Sequence, residues 1–233
     1  MDYSRQQDLV DAKIFRTPIK LIGAGGIGSF TGLTLAKMGF KNITAWDGDR
    51  INKENIPNQF YQETALGTFK TIQLRHNISI FTGTNINDYT RNWNVSFPLS
   101  GLVIMAVDSM QTREEIFNHI ITNKKVIGFI DGRMGGQQGE VYTVNMSNKK
   151  DVDFYQSRLW KSHEVAPIPC TQKAIIYNVV WIASMICNQA RLLLEGKIYK
   201  RGLLMDFQNT QLINLNQTKV VRHGQTMPQL QNT

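Results

Sequence analysis

A glycine-rich motif near the N-terminus constrains this fold more than any other part of the sequence. The apolar run Ile19–Ile22 leads directly into Gly23-Ala24-Gly25-Gly26-Ile27-Gly28. In a βαβ unit, glycines at the first, third and sixth positions permit a tight turn, a close approach of the backbone to phosphate, and close packing of helix on strand. Asp47 follows 24 residues after Gly23, where an acid binds ribose hydroxyls in such units. The motif therefore predicts a nucleotide-binding βαβ unit.

The flanking residues strengthen this interpretation, because an isolated GxGxxG pattern has low specificity. A strand precedes the glycines, helical spacing follows over Ser29–Met38, and a second apolar run over Asn42–Trp46 ends on Asp47. This order of strand, helix, strand and acid is the one that a βαβ unit requires.

Composition and charge limit the classes of protein to which the chain belongs. Its 233 residues, 42% of them hydrophobic, are enough for one sizeable core. No run reaches the roughly 18 apolar residues of a membrane span, and no secretion signal is expected. Two cysteines without a CxxC pair predict neither disulfides nor structural zinc, which favours a cytoplasmic location. The net charge of +8 forms no basic stripe interleaved with aromatics, so neither a nucleic-acid nor a membrane partner is expected.

Alternating apolar runs and helical stretches predict an α/β fold, a Rossmann-like open, mainly parallel β-sheet with helices on both faces and a crossover connector. The predicted strands are residues 19–23, 42–47, 77–82, 101–106, 125–130 and 139–145. The predicted helices are Ser29–Met38, Leu66–Arg75, Thr112–Thr122 and Thr171–Leu194. Ser147–Pro169 lacks periodicity and is predicted to be a connector over the active face. We expect one domain over residues 1–215 and a flexible tail over 216–233.

Three further residues help to decide between two nucleotide-binding classes. On the glycines and Asp47 alone, the nicotinamide-binding domain of an oxidoreductase is the simplest interpretation. Lys70 lies at a predicted helix start, Asp108 ends an apolar run, and Arg113 lies about one helical turn later. A dehydrogenase has no general need for a lysine and a strand-end acid there. An enzyme that forms an adenylate must neutralise a triphosphate and hold magnesium with a carboxylate.

These motifs together resemble those of the ThiF/MoeB/HesA family, the ubiquitin-activating-type adenylyltransferases of UBA/ThiF fold. Family members load the C-terminal glycine of a ubiquitin-like or sulfur-carrier protein with AMP, and this chain resembles the compact stand-alone members. The specificity lies in the ordered set of motifs. In chain order they are Tyr3-Ser4-Arg5-Gln6, Gly23–Gly28, Asp47-Gly48-Asp49, Asn55–Gln59, Gly67–Lys70, Val107-Asp108-Ser109, Asp131-Gly132-Arg133-Met134 and Pro169-Cys170-Thr171.

The resemblance implies that ATP and Mg²⁺ bind, and it assigns roles to matching residues. The implied nucleotide-binding residues are Gly23, Gly25, Gly26, Gly28, Asp47, Asp49, Asn55, Gln59, Lys70 and Asp108. Asp47 binds the ribose hydroxyls, Lys70 lies on the phosphates, and Asp108 holds the metal or positions the α-phosphate. The implied catalytic residues are Asp108, Lys70, Cys170 and Arg5, of which Arg5 reaches across into the partner's site in family homodimers. The implied partners are a second copy of the chain and a carrier protein with a C-terminal glycine tail.

Simpler alternatives stay open for several of these residues. In one of them Asp47 caps the next turn, and Asp108 caps the following helix. Lys70 is alternatively a solvated lysine on a helix face, and Arg113 a surface residue paired with a neighbouring glutamate. Arg133 follows a predicted strand end and faces either the nucleotide or the dimer partner.

The two cysteines have different expected roles. Cys170 lies just before a predicted helix start, where the helix dipole favours thiolate. It resembles the cysteine that receives the activated protein in some family members, and a buried structural cysteine is the alternative. Cys187 lies within an apolar helix and is expected in the core. His163, in the connector, is expected to be solvated.

Three functions stay open, and one departure from the family pattern favours the second of them. Asn58 stands where many relatives have arginine, which removes a positive charge from the phosphate site unless Arg50, Lys53 or Arg133 replaces it. The first function is adenylation of a carrier protein's C-terminal carboxylate, with thiol transfer as a further step. The second is a catalytically weak module that binds nucleotide or carrier. The third is an NAD-dependent oxidoreductase.

Overall fold

The structure, a computed structural model, describes residues 1–159 and 175–215. Within these ranges the strands are β1 (Ile19–Ile22), β2 (Ile43–Trp46), β3 (Asn87–Tyr89), β4 (Gly101–Met105), β5 (Val126–Gly135), β6 (Gln138–Asn145), β7 (Gly202–Asp206) and β8 (Gln211–Asn214). The α-helices are α1 (Gly26–Met38), α2 (Lys70–Thr82), α3 (Met110–Ile120), α4 (Lys149–Gln156) and α5 (Ile176–Leu194). Short 3₁₀ helices lie at Ser4–Gln6, Ala12–Arg16, Lys53–Asn58 and Glu63–Ala65.

These strands form one open sheet in the order β3-β2-β1-β4-β5-β6-β7-β8. In this sheet order, the four neighbouring pairs from β3 across to β5 are parallel, and the three pairs from β5 across to β8 are antiparallel. The chain runs outward from β1 to β3 and then returns to place β4 on the other side of β1. Ligands of open α/β sheets bind outside the carboxyl ends of the strands at such a switch point. The predicted fold class is confirmed.

Helices cover both faces of the sheet, and the central strands divide their side chains between two cores. In β4, Leu102 and Ile104 belong to the core that α1, α2 and α5 cover, whereas Val103 and Met105 belong to the core under α3 and α4. This alternation follows from the two-residue period of a strand. Because both faces are covered, the parallel strands read as continuous apolar runs in the sequence.

The strand predicted at residues 77–82 is wrong, because these residues form the second half of α2. Ile78 and Ile80 alternate with polar residues, as in a strand, but Ile78 is fully buried whereas Ile80 is 63% exposed. Leu74 and Ile78, one helical turn apart, both face the core. The helix continues to a left-handed C-cap at Gly83, where φ is 68°.

Several predicted boundaries also differ from those in the structure. The helices α1, α2 and α3 begin at Gly26, Lys70 and Met110, whereas the predicted starts are Ser29, Leu66 and Thr112. The start of the late helix is Ile176, and residues 171–174 of that prediction lie outside the described residues. No helix within residues 1–159 and 175–215 is long and apolar enough to cross a membrane.

The connector prediction over residues 147–169 is wrong for its first part, which forms α4. Asn148 caps this helix by accepting the N–H of Lys150 at 3.1 Å, and the fully buried Tyr155 anchors it against the sheet. Residues 160–169 of the predicted connector and the predicted tail at 216–233 lie outside the described residues.

The antiparallel half of the sheet differs most from the prediction. β5 extends to Gly135, five residues beyond its predicted end, and turns back directly into β6. β7 and β8 continue this half, and β3 adds a short edge strand at the other end of the sheet. The sequence predicts none of these last three strands.

Candidate active site

The glycine turn between β1 and α1 lies at the switch point of the sheet. Gly23 has a φ of 95°, and a Cβ on it would lie 2.4 Å from the carbonyl oxygen of Ala106, just past β4. A Cβ on Gly28 would lie 2.0 Å from the carbonyl oxygen of Gly23. Only glycine fits at either position, because both approaches are to backbone atoms. The turn is thus packed closely between β1 and the end of β4.

The same turn is open in front of Gly25. A Cβ there would meet no atom closer than Nε2 of Gln59, at 4.0 Å. Gly25 is the N-cap of α1, and no side chain caps the helix. The first N–H groups of a helix lack partners within the helix, and together with the helix dipole they favour an anion. The start of α1 therefore has the geometry of a phosphate site.

Asp47 and Lys70 lie beside the turn and are connected through Asp49. The Asp47 carboxylate accepts the N–H of Ala24 and the N–H of Asp49, each at 2.8 Å. Lys70 Nζ lies 2.7 Å from the carboxylate of Asp49, with the lysine side chain 9% and the aspartate side chain 68% exposed. The solvated-lysine alternative for Lys70 is wrong. The alternative that Asp47 caps the turn after it is correct, since it accepts the N–H of Asp49, but Asp47 also accepts the N–H of Ala24 in the glycine turn.

Burial raises the pKa of the Asp47 carboxyl above its ordinary value. The positive charge of Lys70 and the two N–H donors act in the opposite direction. The carboxylate is thus buried, yet it is surrounded by groups that favour its charged form.

The segment from Asn55 to Tyr61 runs along the outer side of the turn. Asn55 Oδ1 accepts the N–H of Asn52 at 3.1 Å in a capping box of the short helix Lys53–Asn58. Gln59 Oε1 is buried and has no hydrogen-bond partner among the described residues. Tyr61 donates its hydroxyl to the carbonyl oxygen of Ala24 at 2.5 Å. The side-chain amide of Gln59 is therefore the one that lies near the glycine turn, whereas the side-chain oxygen of Asn55 caps the short helix Lys53–Asn58.

Asp108 follows β4 and is exposed. The side chain that caps α3 belongs to Ser109, whose Oγ accepts the N–H of Thr112 at 3.2 Å. The alternative that Asp108 caps this helix is therefore wrong. Ala106 and Val107 pass close to Gly23, so the chain leaves the glycine turn immediately before Asp108.

A buried ion cluster lies behind Asp108. Arg113 Nε donates to Asp131 Oδ1 at 2.9 Å, and Arg133 Nε donates to Asp131 Oδ2 at 2.6 Å. Arg113 also donates to the carbonyl oxygens of Val107 and Gly132. The surface alternative for Arg113 is wrong, because the residue is 4% exposed. Through Val107 the cluster holds the backbone that leads into Asp108.

Arg133 lies within β5 rather than after a strand end, and it faces neither solvent nor the glycine turn. Its Nη1 donates to the carbonyl oxygen of Arg158 at 2.9 Å, and its guanidinium lies 4.5 Å from the ring centre of Tyr142. Tyr155 donates to Asp131 at 2.9 Å. Burial alone would raise the pKa of Asp131, but the two arginines outweigh it and hold that pKa below its ordinary value.

Arg5 lies far from the turn in its own chain. It is exposed within the helix Ser4–Gln6, and the neighbouring Gln6 donates to the carbonyl oxygen of Met38 at 2.5 Å. Met38 ends α1, which has 13 residues and is about 20 Å long at 1.5 Å per residue. The structure therefore brings together the glycines, Asp47, Asp49, Gln59 and Lys70, and it places Arg5 at the opposite end of α1.

The two cysteines and His163 are only partly covered by the structure. Cys187 is 3% exposed in α5, which confirms its predicted place in the core, and burial raises the pKa of its thiol. Cys170 and His163 lie outside the described residues. Residues 1–159 and 175–215 contain no group of three or more His, Cys, Asp or Glu side chains that could hold a metal ion.

Sequence reasoning missed Tyr61, and it did not predict the buried ion cluster that Arg113 and Asp131 form. The signal available for Tyr61 was weak, since an aromatic two residues after Gln59 looks like any core residue. For the ion cluster, the charged Asp131 between Ile130 and Gly132 in an apolar strand was a usable signal, because a buried charge needs a partner.

Comparison with known proteins identifies the family. A model of the ThiF family matches residues 3–229. The structure resembles E. coli MccB bound to AMPCPP and MccA, with a TM-score of 0.71 and 12% identity, covering 86% of this chain and 64% of that one. E. coli MccB bound to ATP gives a TM-score of 0.68 and 12% identity at the same coverage.

A protein solved as PaaA is also similar, with a TM-score of 0.67 and 14% identity, covering 86% of this chain and 64% of that one. The present chain thus spans 64% of the length of each of these proteins. At sequence identities this low, the structural similarity shows that the fold is shared and nothing about activity.

Proposed function

We propose, because this chain belongs to the ThiF family, that it transfers AMP from ATP to the C-terminal carboxylate of a carrier protein or peptide. The proposal rests above all on Lys70, which lies buried beside the open glycine turn and 2.7 Å from Asp49. A nicotinamide site has no general need for this cation, whereas a triphosphate does. MccB was solved with ATP and with MccA, which supports ATP as the nucleotide and a second molecule as the acceptor.

The start of α1 binds the phosphates in this proposal. The N–H groups from Gly25 to Gly28 have no side-chain cap, and the helix dipole adds to their attraction for an anion. Lys70 supplies a compact positive charge, and Asp49 is its counter-ion before ATP binds. Each oxygen of Asp47 accepts one backbone N–H and retains a lone pair for a ribose hydroxyl.

The reaction is a displacement at the α-phosphorus. One carboxylate oxygen of the acceptor attacks this phosphorus, and the bond from the phosphorus to the oxygen that bridges to the β-phosphate breaks. The products are the acyl adenylate and pyrophosphate, so atoms and charge balance without a redox partner. Positive charge at Lys70 and the helix terminus stabilises the charge that develops on the leaving pyrophosphate.

The residues at this edge fit Mg²⁺, which commonly binds through one or two carboxylates together with substrate phosphates. Asp108 is an exposed carboxylate at this edge, as Asp49 is, and Arg113 holds the carbonyl of Val107 that precedes Asp108. Asp108 would hold the ion together with the substrate phosphates, and the ion would neutralise negative charge on them. The chain's own contribution is to hold Asp108 beside the turn.

Asn58 supports a second candidate function, a module that binds ATP without efficient turnover. The reason is that Asn58 removes one positive charge from the phosphate site unless another cation replaces it. Arg133 is buried against Asp131, which argues against it as the replacement for the missing arginine. The guanidinium of Arg50 lies 3.9 Å from the ring centre of Phe69, the residue before Lys70. Of the two arginines, Arg50 is therefore the better candidate for the missing positive charge, and Lys53 stays a further candidate.

A homodimer is part of the proposal. Arg5 lies at the end of α1 opposite to the glycine turn of its own chain. If it contacts ATP, it does so in the site of a second copy, as the family resemblance implies. Thiol transfer to Cys170, a carrier that ends in glycine, and a cytoplasmic location stay predictions.

ATP–pyrophosphate exchange tests the activity. We expect label from radioactive pyrophosphate to enter ATP when a probe with a free C-terminal carboxylate is present. The probes are a small ubiquitin-like protein ending in Gly-Gly and a set of synthetic peptides. The same peptides with a C-terminal amide are the chemical control, because they lack the attacking carboxylate.

Variants locate the exchange activity at the described site. Lys70→Ala and Asp108→Asn should each lower the exchange rate at least about 100-fold. Lys149→Ala is the matched control, because this lysine side chain is 87% exposed on α4 and should leave the rate unchanged. ATP binding without exchange for any probe would favour the binding module. Normal exchange in Lys70→Ala would contradict the proposed site.

A further inference from the structure

We propose that Tyr61 is a positioning residue, whose hydroxyl holds the glycine turn in the conformation that binds phosphate. The inference rests on the proposed function only in taking ATP as the ligand of the turn. Tyr61 is 7% exposed and donates to the carbonyl oxygen of Ala24 at 2.5 Å. Ala24 is the second residue of the turn.

The segment that carries Tyr61 is itself bonded to the surrounding helices. The N–H of Phe60 donates to Ser29 Oγ at 3.0 Å, and Ser29 donates in turn to the carbonyl of Gly26 at 3.0 Å. Asn77 Nδ2 of α2 donates to the carbonyl of Phe60 at 2.8 Å. Tyr61 therefore approaches the turn from a backbone that is held on both sides.

Tyr61 and Asp47 together fix the two peptide planes that meet at Ala24. Asp47 accepts the N–H of Ala24 at 2.8 Å, which fixes the plane before it, and Tyr61 binds its carbonyl, which fixes the plane after it. The described residues contain no cis peptide bond. In a trans peptide the carbonyl and the next N–H point in opposite directions. Tyr61 thus directs the N–H of Gly25 away from the core, toward the open side of the turn.

The hydrogen bond also prepares this N–H electronically. A carbonyl that accepts a hydrogen bond polarises its own peptide unit, which makes the N–H of that unit a stronger donor. The hydroxyl must remain protonated, because the carbonyl only accepts. Burial and the charge of Asp47 both raise the pKa of Tyr61, so the donor is present throughout the neutral range.

The replacement Tyr61→Phe isolates this role, since phenylalanine fills the same space and lacks only the hydroxyl. We expect the dissociation constant for ATP to rise about tenfold. That factor corresponds to about 1.4 kcal/mol, within the usual contribution of one hydrogen bond. Tyr199→Phe is the matched control, because its hydroxyl also binds a buried acceptor, Asp151, away from the turn. It should leave ATP affinity unchanged.

Isothermal titration of the full-length protein with Mg·ATP separates positioning from stability. A merely structural loss lowers the number of binding sites per chain and leaves the dissociation constant unchanged, whereas a positioning loss changes the constant. An affinity in Tyr61→Phe within twofold of wild type would overturn the proposal. Wild-type binding without pyrophosphate exchange would refute adenylation alone, and no wild-type binding would refute both proposals.

Discussion

The replacement Asp131→Asn tests how strongly the buried ion cluster stabilises this fold. Asp131 is fully buried, and its two oxygens lie 2.9 Å from Arg113 Nε and 2.6 Å from Arg133 Nε. Asparagine keeps the size of the side chain and removes its charge, so two buried guanidinium groups lose this carboxylate. Removing one partner of a buried ion pair costs about 3–5 kcal/mol. We expect the free energy of unfolding to fall by that amount.

Urea unfolding followed by circular dichroism measures this loss. At an m value of about 3 kcal/mol/M, the midpoint should fall by about 1 to 2 M. Asp153→Asn is the matched control, since this side chain is 54% exposed and pairs with the exposed Lys149. Exposed pairs contribute about 0–1 kcal/mol. Equal midpoints for the two variants would refute the reasoning.

The comparison of wild type with Asp131→Asn also gives a prediction for how stability depends on pH. Although burial raises the pKa of Asp131, Arg113 and Arg133 hold it below its ordinary value. A carboxyl with a lowered folded pKa stabilises the fold above its unfolded pKa of about 3.9, and this stabilisation is lost as the pH falls through the folded pKa. The advantage of wild type over Asp131→Asn should therefore be constant from about pH 8 to 5 and shrink below about pH 4. An advantage that grows in acid would contradict this explanation.

Two further predictions test the α2 assignment and the dimer. Ile78→Ala should lower the free energy of unfolding in urea by about 2–5 kcal/mol, because Ile78 faces the core. Ile80→Ala should change it by no more than about 0.5 kcal/mol, because Ile80 is exposed. Similar losses for the two variants would favour the predicted strand over the helix. Mixing and refolding equal amounts of the inactive variants Arg5→Ala and Lys70→Ala should restore about a quarter of wild-type exchange, because half of the dimers are mixed and each has one intact site. No recovery in a confirmed mixed dimer would argue against Arg5 acting in the partner's site.

Part of the predicted site lies together because residue spacing along the chain determines the positions of its members. The glycines, Asp47 and Lys70 each lie at the end of one element or the start of the next, so their order along the chain brings them to one edge of a parallel sheet. Asn55 shows the limit of this reasoning, because its side-chain oxygen caps its own short helix. The segment that carries Arg5 is placed by its neighbours Gln6 and Leu9, which bind the far ends of α1 and α5, and no local pattern encodes these contacts.

The sequence alone determined the βαβ unit, the fold class and the family, because glycine spacing, apolar runs and strand-end acids are local properties of the chain. Only the tertiary structure decided the partners of charged and polar side chains. Arg113 and Asp131 are 18 residues apart and Tyr61 and Ala24 are 37 apart, and each pair meets only after the strands and helices have packed. A side chain's burial and hydrogen-bond partners depend on such distant contacts, so a periodic pattern predicts the element and leaves its polar contacts undetermined.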